Sequence, residues 1–74
     1  MELHDAIIVV LKEANRPLTC SEIAQKINAR NLYERGDKKP LKSNQITARI
    51  NSPSYQHLFE KDQTHTPMLI STVI

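Results

Sequence analysis

Apolar residues follow a helical spacing up to about residue 50 and a strand-like spacing after it. In the first part they recur three or four positions apart, which places them on one face of successive α-helices. The last part contains the runs HLFEKD and PMLISTVI, whose β-branched and aromatic content is typical of strands. The chain is therefore expected to fold as three short helices followed by a β-hairpin.

The first helix is predicted from about Leu3 to Asn15. The dipeptide Arg16-Pro17 ends it, because a residue before proline is pushed out of the α region. Ile8 and Val9 lie off the apolar face and need another partner, such as a strand or a second subunit. The apolar face itself consists of Leu3, Ile7, Val10, Leu11 and Ala14.

The second helix begins at a capping box. In the stretch TCSE, the Thr19 hydroxyl can accept the amide of Glu22, whose carboxylate can reach back to the start of the helix. Glu22 and Lys26 are expected to form an ion pair on the outer side. The helix should end near Ala29 or Asn31, and its inward stripe is Cys20, Ile23, Ala24 and Ile27.

The third helix follows a connection, residues 31 to 41, whose Gly36 and Pro40 indicate turns. Ser43 is predicted to be its N-cap, with Ile46 and Ile50 facing the core. Because Pro53 cannot continue a helix, the helix is expected to span about residues 44 to 52.

The hairpin completes a recognisable order of elements. DQTHTP is predicted to be its turn, between the two strand-like runs. Three helices plus a two- or three-stranded wing, mainly α with a small β-hairpin, is the order of a winged helix-turn-helix. A chain of 74 residues can bury only one small core, so residues 1–74 are expected to form a single domain.

Several function classes find little support in the sequence. The single cysteine, Cys20, has no disulfide partner, and the longest apolar run, AIIVVL, is too short to span a bilayer. A cytoplasmic protein is the default expectation. The three histidines and Cys20 do not have zinc-ligand spacing, and one glycine makes no phosphate loop. Neither catalysis, a metal nor a cofactor is expected.

Positive charge is concentrated in the middle of the chain. Residues 30–49 carry six basic and two acidic side chains, a net charge of +4. Residues 1–29 and residues 50–74 each carry a net charge of −1. Because local clustering matters more for nucleic-acid binding than total charge does, the segment around the third helix is the candidate surface.

The outer face of the third helix is built from amides and small residues. A step of 100° per residue turns Asn44, Ala48 and Asn51 outward and places Thr47 and Arg49 on the flanks. Asn and Gln can bridge adenine N6 and N7, Arg can bridge guanine O6 and N7, and a methyl can meet thymine. The competing interpretation is a merely solvated face.

The connection before this helix supplies cations for phosphates. Lysines and an arginine there would contact the DNA backbone without reading sequence, and amides following Ser43 could meet a phosphate. The predicted DNA-binding residues are Arg35, Lys38, Lys39, Lys42, Ser43, Asn44, Gln45, Thr47, Ala48, Arg49 and Asn51.

The segments VLKEANRPLTCSEIAQKI, NLYERGDKKPLKSNQITARI and LFEKD together resemble the HARE-type winged helix-turn-helix domain. That family occurs in the delta subunit of bacterial RNA polymerase, in some restriction endonucleases and in Asx-like chromatin proteins. The resemblance covers about Leu3 to Val73. It implies a winged-helix fold and a role in DNA-linked processes, through contacts with DNA or with protein.

Two hypotheses follow. The first is a double-stranded DNA-binding module, with the third helix in the major groove, acting as a regulator or as the DNA-reading part of a restriction or modification protein. The second is a protein-interaction winged helix, associated with RNA polymerase or chromatin. It would pair through apolar surface of the first helix, Ile8 and Val9, and through the last strand.

Overall fold

The fold is a winged helix-turn-helix, as the order of elements predicts. A computed structural model describes all residues, 1–74. Three α-helices pack against a small antiparallel sheet, and a short 3₁₀-helix, Gln56–Leu58, precedes the wing. The helices are α1 (Leu3–Ala14), α2 (Cys20–Arg30) and α3 (Ser43–Ile50), and the strands are β1 (Leu18–Thr19), β2 (Phe59–Asp62) and β3 (Leu69–Thr72).

The core is a single cluster to which every α-helix contributes. It contains 14 buried residues, all of them apolar. Ile46 and Ile50 are fully buried, as the spacing in the third helix predicts. Ile8, which lies off the main face of α1, is partly buried against this same core. The partner it needs is therefore the chain itself.

The sheet has the order β1-β3-β2, so that β3 lies in the middle. Ile70 of β3 is opposite Leu18 on one side and Lys61 on the other. Ile70 is buried and Met68 packs partly against the core, so this face of the last segment points inward. The two-residue strand β1 is not predicted by its own sequence, because only its pairing with β3 makes it a strand.

The ends of α1 and α2 lie close to the predicted positions. The capping box of α2 is present: Glu22 N–H donates to Thr19 Oγ1 at 3.1 Å, and Thr19 N–H donates to Glu22 Oε1 at 3.0 Å. The expected ion pair of Glu22 with Lys26 does not form. Since the capping bond turns the Glu22 carboxylate back towards the start of the helix, it lies 3.4 Å from Arg16 Nη2 instead.

The bounds of α3 differ from the prediction at both ends. The helix begins at Ser43, and its N-cap is Lys42, whose N–H donates to Gln45 Oε1 at 2.9 Å. The predicted cap at Ser43 is wrong. The helix ends at Ile50 rather than Ser52, because Pro53 excludes the residue before it from the α region. Ser52 N–H therefore bonds the Arg49 carbonyl at 3.2 Å in a tightened turn.

Candidate nucleic-acid interface

The outer face of α3 is open to solvent. Asn44, Ala48 and the C-cap Asn51 are exposed, while the flanking Thr47 and Arg49 are half-buried. The Thr47 hydroxyl lies 3.2 Å from the Ser43 carbonyl oxygen and 3.3 Å from Cys20 Sγ. Thr47 is therefore directed at the start of α2 rather than fully outward. Small polar residues, including Ser21 and Ser43, line the shallow groove between α2, α3 and Met68.

The start of α3 is fixed to α2 by one amide side chain. Asn28 Nδ2 donates to the Leu41 carbonyl at 2.9 Å, and Leu41 N–H donates to Asn28 Oδ1 at 2.9 Å. Leu41 itself is buried in the core. This pair of bonds sets where the basic connection enters α3. Asn28 was not predicted; its only sequence signal is a polar residue directly after Ile27 of the apolar stripe.

Arg35 is committed mainly to the shape of the connection. Its guanidinium donates to Asp37 Oδ2 at 2.9 Å and to the Pro40 carbonyl at 3.2 Å. Asp37 Oδ1 in turn accepts the Lys39 N–H at 3.1 Å. Lys38 adopts a left-handed backbone conformation, φ 61°, which completes the turn. These bonds hold the loop in one shape and direct the lysines on it outward.

The cations closest to α3 lack carboxylate partners. Lys39, Lys42 and Arg49 form no ion pair within the chain, whereas Arg16 and Arg30 pair with Glu22 and Glu13. Lys38 has only a loose contact with Glu34, at 4.0 Å between two largely exposed side chains. Uncompensated positive charge therefore borders the exposed face of α3.

Arg49 lies over an aromatic ring beside α3. Its guanidinium carbon is 5.3 Å from the centre of the Tyr55 ring, a distance typical of a cation–π contact. Tyr55 also stacks on His4, with ring centres 4.1 Å apart and planes 17° apart. Stacking holds the Arg49 side chain at the C-terminal side of α3, with no carboxylate to neutralise it.

Two of the amides near α3 already have partners within the chain. Gln45 Oε1 accepts the Lys42 N–H, and Asn51 Oδ1 accepts Lys61 Nζ at 2.5 Å. Asn44 makes no side-chain hydrogen bond to the rest of the protein. Lys61 was not among the predicted residues, since its position beside α3 depends on the pairing of β2 with β3.

The rest of the wing is acidic. Glu60 and Asp62 are exposed on β2, and the Thr64 hydroxyl and N–H donate to Asp62 Oδ1 at 2.5 and 3.0 Å. These two hydrogen bonds, the hydroxyl first, hold the pKa of Asp62 below its ordinary value. An ionised carboxylate repels phosphate, so Lys61 is the one wing side chain suited to DNA.

Other kinds of site are not formed by this chain. No three His, Cys, Asp or Glu side chains come together in an arrangement that could hold a metal ion. None of the helices combines the length and apolar content that crossing a bilayer demands.

The comparisons with known proteins agree with the fold. Searches of curated proteins and of solved structures give no significant match. A family model does match, over residues 1–70: the HARE-HTH domain, the helix-turn-helix domain of ASXL proteins and restriction endonucleases. Since the match covers nearly the whole chain and the winged helix is present, the chain belongs to the HARE-HTH family, whose helix-turn-helix indicates a DNA-binding domain.

Proposed function

We propose that this protein is a cytoplasmic module that binds double-stranded DNA through α3. One observation carries the proposal: α3 exposes Asn44 and Ala48 between cations that no carboxylate of the chain neutralises. A solvated face with no binding role would have its lysines and arginines distributed among acidic partners, as those of α1 and α2 largely are.

The size and shape of α3 suit the major groove. Eight residues of helix extend about 12 Å, and the groove is about 12 Å wide. Ala48, at the centre of the exposed face, allows the helix axis to approach the base edges closely. Asn44 lies one turn earlier on the same side, where an amide can reach a base.

Backbone contacts would come from both ends of α3. Lys39 and Lys42 lie just before the helix, and Arg49 lies beside its last turn. The first amide groups of a helix have no intrahelical acceptor, so those of Ser43 and Asn44 can donate to a phosphate oxygen. We place the module in a regulator or in the DNA-reading part of a restriction or modification protein.

Anisotropy titrations with a random-sequence duplex at several salt concentrations test the proposal. Binding should weaken steeply with salt, because each phosphate contact releases counterions. The double variant Lys39→Glu and Lys42→Glu should lose at least about tenfold in affinity at low salt, and the slope of log K against log salt should fall by about 2.

A matched control separates local contacts from net charge. Lys12→Glu and Lys26→Glu change the charge equally, at two exposed lysines of α1 and α2 that also lack ion-pair partners. That control should lose less than about threefold. Equal losses in both double variants, or binding that is insensitive to salt, would contradict the proposal.

A second candidate function has weaker support. Val73 and Ile74 are 52% and 58% exposed at the end of the last strand, which leaves apolar surface for a protein partner such as RNA polymerase, a chromatin protein or a second copy. Ile8, however, is partly buried against the core, which removes part of the surface this function needs. A dimer in sedimentation, together with no salt-sensitive DNA binding, would favour it.

A further inference from the structure

The three amides near the exposed face of α3 are not equivalent. Gln45 bends back along the helix, so that its Oε1 lies 2.9 Å from the backbone nitrogen of Lys42. Asn51 is drawn towards the wing, where its Oδ1 lies 2.5 Å from Lys61 Nζ. Asn44 is exposed and has no hydrogen bond to hold its side chain against the protein.

Reading adenine demands both ends of one amide. The carboxamide oxygen must accept from adenine N6, while the NH₂ group donates to N7. An amide oxygen can accept a second hydrogen bond, but only where its position allows a base to approach. The oxygens of Gln45 and Asn51 are directed at the N-cap and at β2, so neither amide can lie flat against a base edge in front of α3.

We infer that Asn44 is the specificity-determining residue of α3 and that adenine is the base it reads. This inference rests on the proposed function and deepens it by naming the class of DNA site. Gln45 and Asn51 then hold the ends of α3 in place and can offer only their NH₂ groups to the backbone.

Ala48 extends the predicted site by one contact. It lies four residues after Asn44 on the same face, about 6 Å further along the helix axis. Its methyl group suits the C5-methyl of thymine. The preferred site should therefore contain an adenine and, within about two base pairs, a thymine in the major groove.

The test begins with selection of preferred duplexes from a randomised library by the wild-type protein. Each adenine of the selected site is then replaced by 7-deazaadenine, which removes only the N7 acceptor. At one adenine the wild type should lose on the order of tenfold in affinity. Asn44→Ala should show a similar loss on the unmodified site and no further loss with 7-deazaadenine.

Two control variants isolate the role of Asn44. Gln45→Ala and Asn51→Ala should keep the sensitivity of the wild type to 7-deazaadenine, whatever their overall affinity. Asn44→Ala should melt at the temperature of the wild type or slightly above it, because the side chain is exposed and alanine favours helix. The experiment on the wild type with modified DNA does not depend on any variant folding.

The outcomes separate this inference from the function on which it rests. Salt-sensitive binding without sequence preference, or a 7-deazaadenine effect that Asn44→Ala leaves intact, would overturn the inference and leave duplex binding standing. An effect lost in Gln45→Ala or Asn51→Ala but kept in Asn44→Ala would also overturn it. Absence of salt-sensitive duplex binding would overturn both.

Discussion

Asn28 fixes a segment that is distant in sequence through one side chain. Its amide satisfies both the N–H and the carbonyl of Leu41, thirteen residues away, at 2.9 Å each. The other asparagines act locally: Asn15 and Asn31 end helices in the left-handed conformation, at φ 54° and 52°. Local roles of this kind can be predicted from neighbouring residues. The contact of Asn28 cannot, because it depends on the path of the whole connection.

Replacing Asn28 should destabilise the fold. Asn28→Ala removes two hydrogen bonds and leaves two backbone groups of Leu41, itself buried, without partners. The expected loss is about 1–3 kcal/mol in the free energy of unfolding, measured by urea denaturation. Asn28→Asp keeps the acceptor and loses the donor, so at neutral pH it should recover at most part of this loss. A change below about 0.5 kcal/mol in Asn28→Ala would contradict this role.

The ends of the helices show which elements can be predicted from sequence. The capping box of α2 is predictable, because Thr19 and Glu22 are three residues apart and need only each other. The start of α3 is harder, since Lys42 and Ser43 both precede the apolar positions. Ser43 has the better side chain for a cap, yet the Gln45 side chain bonds Lys42 N–H and moves the boundary by one residue.

The capping box of α2 should be measurable by substitution. Thr19→Ala removes the hydroxyl that accepts from Glu22 N–H, so it should cost about 1 kcal/mol of stability. Thermal melts followed by circular dichroism at neutral pH test this. Ser21→Ala, at an exposed position of the same first turn, is the control and should change stability by less than about 0.5 kcal/mol.

The same capping box gives the fold a dependence on pH. The hydrogen bond from Thr19 N–H is the main cause that lowers the pKa of Glu22 from its ordinary value of 4.5. Because the folded pKa is the lower one, its contribution to stability is present above 4.5 and is lost as pH falls through the folded value. Glu22→Gln should flatten this part of the acid unfolding curve. An unchanged curve would show that another group is responsible.

The molecule as a whole depends on one small apolar cluster. A chain of 74 residues is expected to be stable by only about 4–11 kcal/mol, at the usual 0.05–0.15 kcal/mol per residue. The cluster joins all three α-helices to the sheet, so damage at one place loosens the whole fold. The apolar spacing was sufficient to predict this architecture and the burial of Ile46 and Ile50.

The surface of the molecule was less predictable than its core. The sequence indicates the charge of residues 30–49, but not which cations are neutralised. Arg35 proves to be paired with Asp37, while Lys61, from a distant strand, comes to lie beside α3. Pairing between side chains depends on tertiary packing, which periodicity does not encode.

Truncation of the core under α3 should unfold much of the protein. Ile46→Ala removes a fully buried side chain and should cost about 2–5 kcal/mol, a large share of the total stability. Ala48→Ser, two residues away on the exposed face, should change stability by no more than about 0.5 kcal/mol. Equal effects in the two variants, measured by thermal melting, would contradict the assignment of inner and outer faces of α3.

An amide-shift NMR titration with duplex DNA tests the central proposal most directly. We expect salt-sensitive shifts concentrated in residues 38–52 and at Lys61, with the far ends of α1 and α2 unaffected. Shifts confined to Val9, Val73 and Ile74, or no shifts at low salt, would contradict a DNA-binding face on α3.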